Sequence, residues 1–165
     1  MPKHIALSGR SGCGKTTVAD YLVATHGYTR CSTGAACREL CRKLFDTESK
    51  AILNKVTDAL KAVDADVWLR AALVSAPEHH PIVFDSMRFA NDYAFLSGRG
   101  FLTWRIEAPH EVRLARMRAR GQDVDPGDDA HRAETELDHQ EFDRVLDNSE
   151  GGVELLYVNI ERALG

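Results

Sequence analysis

Residues 4–16 read His4-Ile5-Ala6-Leu7-Ser8-Gly9-Arg10-Ser11-Gly12-Cys13-Gly14-Lys15-Thr16, and this stretch decides the fold. The apolar run that leads in has the character of a buried strand. A helical stretch from Thr16 to His26 leads out and stops at Gly27. Between them lies the phosphate-loop pattern G-x-x-x-x-G-K-[ST]. Its glycines let successive backbone N–H groups point inward at phosphate oxygens. Lys15 can then reach the β- and γ-phosphates, and the Thr16 hydroxyl can ligate Mg²⁺. The dipole and unpaired N–H groups of the following helix favour the same anion. The reading predicts a nucleoside triphosphate site made of Gly9, Arg10, Ser11, Gly12, Cys13, Gly14, Lys15, Thr16 and Thr17.

Outward from the loop, apolar strands alternate with helical patterns. Strands are expected at Tyr28–Ser32, Pro81–Asp85, Phe101–Glu107 and, weakly, Val145–Leu146. Helices are expected at Ala35–Phe45, Glu48–Val63, Asp66 to about Ala76, Asn91–Ser97, from Pro109 to a cap at Gly121, and from about Val153. Such alternation argues for an α/β fold with a parallel five-stranded sheet flanked by helices. Ligands of these sheets bind beyond the carboxyl ends of the strands. That rule brings the phosphate loop, Ser32, Asp85 and the residues after Glu107 to one edge. No repeat or linker divides the 165 residues, so a single domain is expected over 1–165.

Composition excludes some classes of function. The net charge of −4 offers no global basic field, so no nucleic-acid polymer is expected as a partner. No run approaches the roughly 20 apolar residues that span a bilayer, and Met1-Pro2-Lys3-His4 passes directly into the first strand. No membrane is therefore expected, and the localisation is read as cytoplasmic. Cys13, Cys31, Cys37 and Cys41 form no C-x-x-C pair and read as small buried thiols in a reducing compartment. Any phosphate beyond the loop must then meet local arginines. Arg113, Arg116 and Arg120 fall within about 60° of one another on a helix, with Arg118 pointing elsewhere. The polar stretch from Gly121 to Asp129 that follows reads as mobile cover, giving a lid over about 113–138.

Three further segments extend the pattern: Phe84-Asp85-Ser86-Met87-Arg88-Phe89-Ala90-Asn91-Asp92, Ala130-His131-Arg132-Ala133-Glu134, and Phe142 to Asn148. With the loop, they resemble the nucleoside monophosphate kinases among the P-loop NTPase folds. The nearest likeness is to phage-type deoxynucleoside monophosphate kinases, with dephospho-coenzyme A kinases as relatives. Asp92 stands where that group has Glu, and Arg88 lies one residue further from Asp85 than in its D-x-R form. The resemblance implies an adenylate-kinase-like fold with a small lid and an acceptor-binding helical region at about 33–76. It implies ATP and Mg²⁺ as cofactors and a deoxynucleoside monophosphate as acceptor, in host cytoplasm if the chain is phage-encoded. A homodimer remains open.

Lys15, Asp85, Arg88, Arg116 and Arg120 are the expected catalytic residues, and Thr16 with Asp85 would hold the metal. Ser32, Arg38, Asp85, Arg88, His131 and Glu134 would face the acceptor, while Asn148 would approach the adenine. Ser32-Thr33-Gly34 can cap a helix whose Arg38 returns over the same site. Two rivals share the donor site: a small-metabolite kinase of the dephospho-coenzyme A type, and an NTP hydrolase. A GTPase would carry N-K-x-D, whereas Asn54-Lys55-Val56-Thr57 ends in threonine. A motor ATPase would place glutamate after the strand-end acid, and here Ser86 follows Asp85.

Overall fold

The computed structural model describes residues 3–74, 76–77, 79–122 and 130–165. The expected cover at 123–129 lies outside them. Five strands, β1 (Ile5–Ser8), β2 (Thr29–Cys31), β3 (Ile82–Phe84), β4 (Leu102–Glu107) and β5 (Arg144–Asp147), form one sheet in the order β2-β3-β1-β4-β5. Every pairing is parallel; Ile5 lies opposite both Val83 of β3 and Leu102 of β4. The five-stranded parallel sheet read from the sequence is therefore the observed one.

Alternation along β1 shows how the sheet is buried on both sides. Ile5 and Leu7 join Val18 and Leu22 of α1 (Lys15–His26) and Leu156 and Ile160 of α8 (Gly152–Leu164). Ala6, on the opposite face, joins Leu69 of α4 (Val67–Val74) and Phe95 and Leu96 of α5 (Ala90–Ser97). A third cluster lies away from the sheet. There Cys37 and Cys41 of α2 (Thr33–Phe45) meet Trp68 and the half-buried apolar face of α3 (Lys50–Val63). All four cysteines are free and buried, as their spacing suggested.

Two more helices complete the chain, α6 (His110–Ala119) and the short α7 (Arg132–Thr135). The second gave no helical signal in the sequence. Pro109 is the N-cap of α6 rather than its first helical residue, with extended ψ of 148°. Gly121 follows the helix with φ of +69°, the left-handed conformation in which glycine has no Cβ penalty. None of the helices among the described residues is long and apolar enough to cross a membrane.

Candidate active site

The loop between β1 and α1 sits at the middle of the sheet, where the chain moves from one side of β1 to the other. Its shape depends on glycine. Gly14 has φ of +111°, and a Cβ there would lie 2.4 Å from the Asn148 amide nitrogen. Lys15 opens α1 and turns back across the loop, donating from Nζ to the carbonyls of Gly9 and, at 3.1 Å, Arg10. Burial pushes its ammonium below the usual lysine value. Cys13 opposes that shift, Arg88 adds to it, and Glu134 and Asp85 oppose it further. An anion arriving at the loop would meet a cation that, among the described residues, has no carboxylate in direct contact with it. Lys15, Thr16 and Thr17 line a cleft of about 540 Å³ that Met117, Arg120 and Arg88 close from the other side.

Several contacts brace the loop from behind. The Asn148 side chain is buried and donates to the Cys13 carbonyl at 2.8 Å. Arg116 donates to the Asn148 carbonyl at 2.9 Å, and its other terminal nitrogen is buried without a hydrogen-bond partner among the described residues. Arg113 is buried and bonds the carbonyls of Ser11 and Ala108, both at 3.2 Å. It therefore supports the loop and does not belong with the lid arginines that helical geometry grouped it with. Arg10, inside the loop, pairs at 2.5 Å with Asp138, which Arg105 of β4 also holds at 2.6 Å. Burial alone would raise the Asp138 carboxyl, but the two guanidinium groups hold it below the usual carboxylate range.

A second cleft, of about 520 Å³, opens beside the first. Ser32 caps α2 by accepting from the Ala35 N–H, and Arg38 Nη1 lies 3.4 Å from where a Cβ on Gly34 would stand, but neither residue lines this cleft. Trp68, Leu69 and Phe89 form an apolar wall, while Lys61, Asn91 and Arg132 bring polar groups. The Phe89 ring carries Lys61 and Arg132 each 5.6 Å from its centroid. Arg88 lines both clefts. Its turn is fixed by Asp92, whose carboxylate accepts from the backbone N–H groups of Arg88 and Phe89 at 2.9 and 3.0 Å. Burial raises the Asp92 carboxyl, and those two N–H groups partly reverse the shift.

A family model for an AAA domain matches residues 5–148, from the first strand to the loop-bracing asparagine. The chain belongs to the AAA domain family. Among solved structures, this AAA domain is similar to TT1252 from Thermus thermophilus, at 27% identity and a TM-score of 0.65, over 99% of this chain and 94% of that one. It is also similar to a gluconokinase from Sinorhizobium meliloti 1021, at 19% identity and a TM-score of 0.65, over 99% and 91%. The latter likeness concerns the fold. No curated protein matches the chain. The AAA domain is thus a P-loop nucleotide-binding domain, and the gluconokinase shares its fold. The narrower likeness to phage enzymes of deoxynucleotide supply finds no support in these comparisons.

Within this AAA domain, Lys15, Thr16, Thr17, Arg88 and Arg120 come together at the first cleft. Other expected site residues take different places: Arg116 is bound to the Asn148 carbonyl and Asp85 is held by Arg30, and neither lines either cleft. His131 is exposed and caps α7, its Nδ1 accepting from the Ala133 N–H at 3.2 Å, and it lines neither cleft. Asn148 has its amide engaged by the loop and not directed at an open base site. Glu134 lies against the loop instead of the acceptor cleft, accepting from the Ser11 N–H at 2.6 Å. Sequence reasoning missed Arg30 of β2, which donates from Nε to Asp85 at 2.6 Å and from Nη1 to Asp20 at 2.8 Å. An arginine directed at the carboxyl edge of a strand beside the strand-end acid was the available signal.

Proposed function

We propose that this AAA domain is an ATP-dependent kinase that transfers the γ-phosphoryl group to a small acceptor bearing an anionic group of its own. The observation that carries this reading is Arg88, whose side chain lines both the loop cleft and its neighbour. A hydrolase needs only water beside the loop. A second cleft of about 520 Å³ with an arginine at the junction is suited to holding a molecule in line with the donor. Loop N–H groups and Lys15 bind the donor phosphates. Arg88 and Arg120 neutralise charge as it moves between donor and acceptor, and Arg38 approaches the acceptor side.

The residues fit a magnesium ion that arrives with the triphosphate. The exposed Thr16 hydroxyl and phosphate oxygens would supply hard ligands of the kind the ion takes, while the Asp85 carboxylate is held by Arg30 and reaches Lys15 through its charge. Bound there, the ion would neutralise charge on the β- and γ-phosphates. Among the described residues no group of three His, Cys, Asp or Glu side chains is arranged to hold a metal by itself.

Two acceptor classes compete for the second cleft. The apolar wall of Trp68, Leu69 and Phe89 favours a flat base, and so a nucleoside monophosphate, including the deoxynucleotides. The gluconokinase likeness favours a hydroxyl acceptor on a small anionic metabolite. An ATP-consumption assay separates them, using the four deoxynucleoside monophosphates, their ribose counterparts, dephospho-coenzyme A and gluconate. ADP formed together with a phosphorylated acceptor supports the kinase reading and names the class. ADP released at one rate whatever is added overturns it in favour of a hydrolase.

A further inference from the structure

The geometry points to Glu134 as an internal competitor for the phosphate loop: its carboxylate occupies a position that a donor phosphate must take. Oε2 accepts from the Ser11 backbone N–H at 2.6 Å, and Oε1 accepts from the Ser11 hydroxyl at 2.9 Å. Arg88 adds a third contact, at 3.2 Å to Oε1. The Glu134 side chain is only 9% exposed. A carboxylate and a phosphate present the same kind of acceptor oxygen to the same kind of donor. Ser11 is the second residue after the opening glycine of the loop, where backbone N–H groups turn toward phosphate. Arg88, which the kinase reading assigns to phosphate, is engaged by this carboxylate as well. The charge of Glu134 also reaches Lys15, which it holds toward its protonated form.

These groups are 123 residues apart in sequence, so the contact is made by the fold and not by a local turn. The remainder of its segment has separate anchors. Arg132 pairs with Glu136, Glu136 accepts from the Ala90 N–H at 2.9 Å, and Asp138 is held by Arg10 and Arg105. Glu134 can therefore leave the loop through its own side chain while those anchors stay. A nucleotide that displaces it gains the Ser11 donors and frees Arg88 in the same event. Donor binding is then linked to the readiness of the residue between the two clefts.

The inference requires nucleotide binding at the loop and is independent of the acceptor class. It is tested by calorimetric titration of ATP into the full chain and into Glu134→Gln and Glu134→Ala. If the carboxylate fills the site nine-tenths of the time, its loss tightens binding by about tenfold. Glu161→Gln, which removes a partner of His26 and Tyr21 far from the loop, should leave the affinity unchanged. Equal or weaker ATP binding by the Glu134 variants would overturn the proposal and make the carboxylate a fixed support. Absence of ATP binding to every form, the unaltered chain included, would remove the donor site and this proposal with it. Failure of the variants to fold leaves a measurement on the unaltered chain. On addition of ADP the Glu134 Cδ resonance must move together with the Ser11 amide. A Cδ signal that stays fixed while the loop amides shift would equally refute displacement.

Discussion

Replacing Arg30 by methionine should cost stability out of proportion to a surface change, because it strands Asp85. The Asp85 side chain is only 11% exposed, and both Nε and Nη2 of Arg30 bind its carboxylate. Removing one partner of a buried pair costs about 3–5 kcal/mol, since the other charge is left without compensation. Arg30 is 37% exposed, so water replaces part of what is lost. That screening reduces the expected cost to about 1.5–2.5 kcal/mol. The second contact of Arg30, with Asp20, adds little because Asp20 is 63% exposed. For a chain of 165 residues the loss corresponds to a fall in Tm of about 3–10 °C. Urea unfolding of Arg30→Met, Asp85→Asn and the double variant forms a cycle that isolates the pair. The double variant should be more stable than the summed single losses require, with a coupling of about 1–2 kcal/mol. Additivity within about 0.3 kcal/mol would refute the reasoning, because Asp85 would then be indifferent to the guanidinium that binds it.

Three further outcomes are expected. Gly14→Ala should abolish measurable ATP binding by calorimetry while the chain stays folded. Its Cβ would enter the Asn148 amide at 2.4 Å, and the loop would have to give up its left-handed turn. Arg88→Gln should lower kcat/KM for the phosphoryl acceptor by about a hundredfold or more while changing ATP affinity much less, read from initial rates at saturating ATP. Asp138→Asn should lose stability at neutral pH relative to the unaltered chain. Because the folded carboxyl titrates below its unfolded value, the stabilisation is full above about pH 4 and is lost as pH falls through the depressed folded value. The two unfolding curves should therefore converge in acid, and a gap that persists there would point to packing instead of charge.

What was legible in the sequence was chiefly what is local. The loop's glycines, Lys15 and Thr16 lie within one short pattern, and the Ser32 cap acts on a donor three residues away. The sheet was legible because apolar runs buried on both faces read the same way whatever their neighbours. Helical spacing, by contrast, grouped Arg113 with Arg116 and Arg120, although they do different work. Gly12 admits the backbone of α6 so closely that a Cβ there would lie 2.8 Å from the Arg113 carbonyl, and this approach buries Arg113 beneath the loop. No angle along one helix can reveal which residue a neighbouring loop will cover. The loop contact of Glu134, which the sequence reading assigns to the acceptor, and the role of Arg30 were hidden for a related reason: their partners lie 123 and 55 residues away. Asn148 was placed at the correct edge, but which of its possible partners it would take depended on the final approach of β5 to the loop.

The Asn148 contact ties the nucleotide site to the outermost strand of the sheet. Among the described residues β5 pairs with β4 alone; it buries only Leu146 of its four residues and leaves Val145 57% exposed. A single buried amide at its end fixes the Cys13 carbonyl and, through the space at Gly14, the start of α1. An exposed edge of the sheet is thus a structural hinge-pin for the chemistry of the loop. Fraying of that edge would slacken the loop before the interior melts, so warming should erode ligand affinity ahead of the loss of secondary structure.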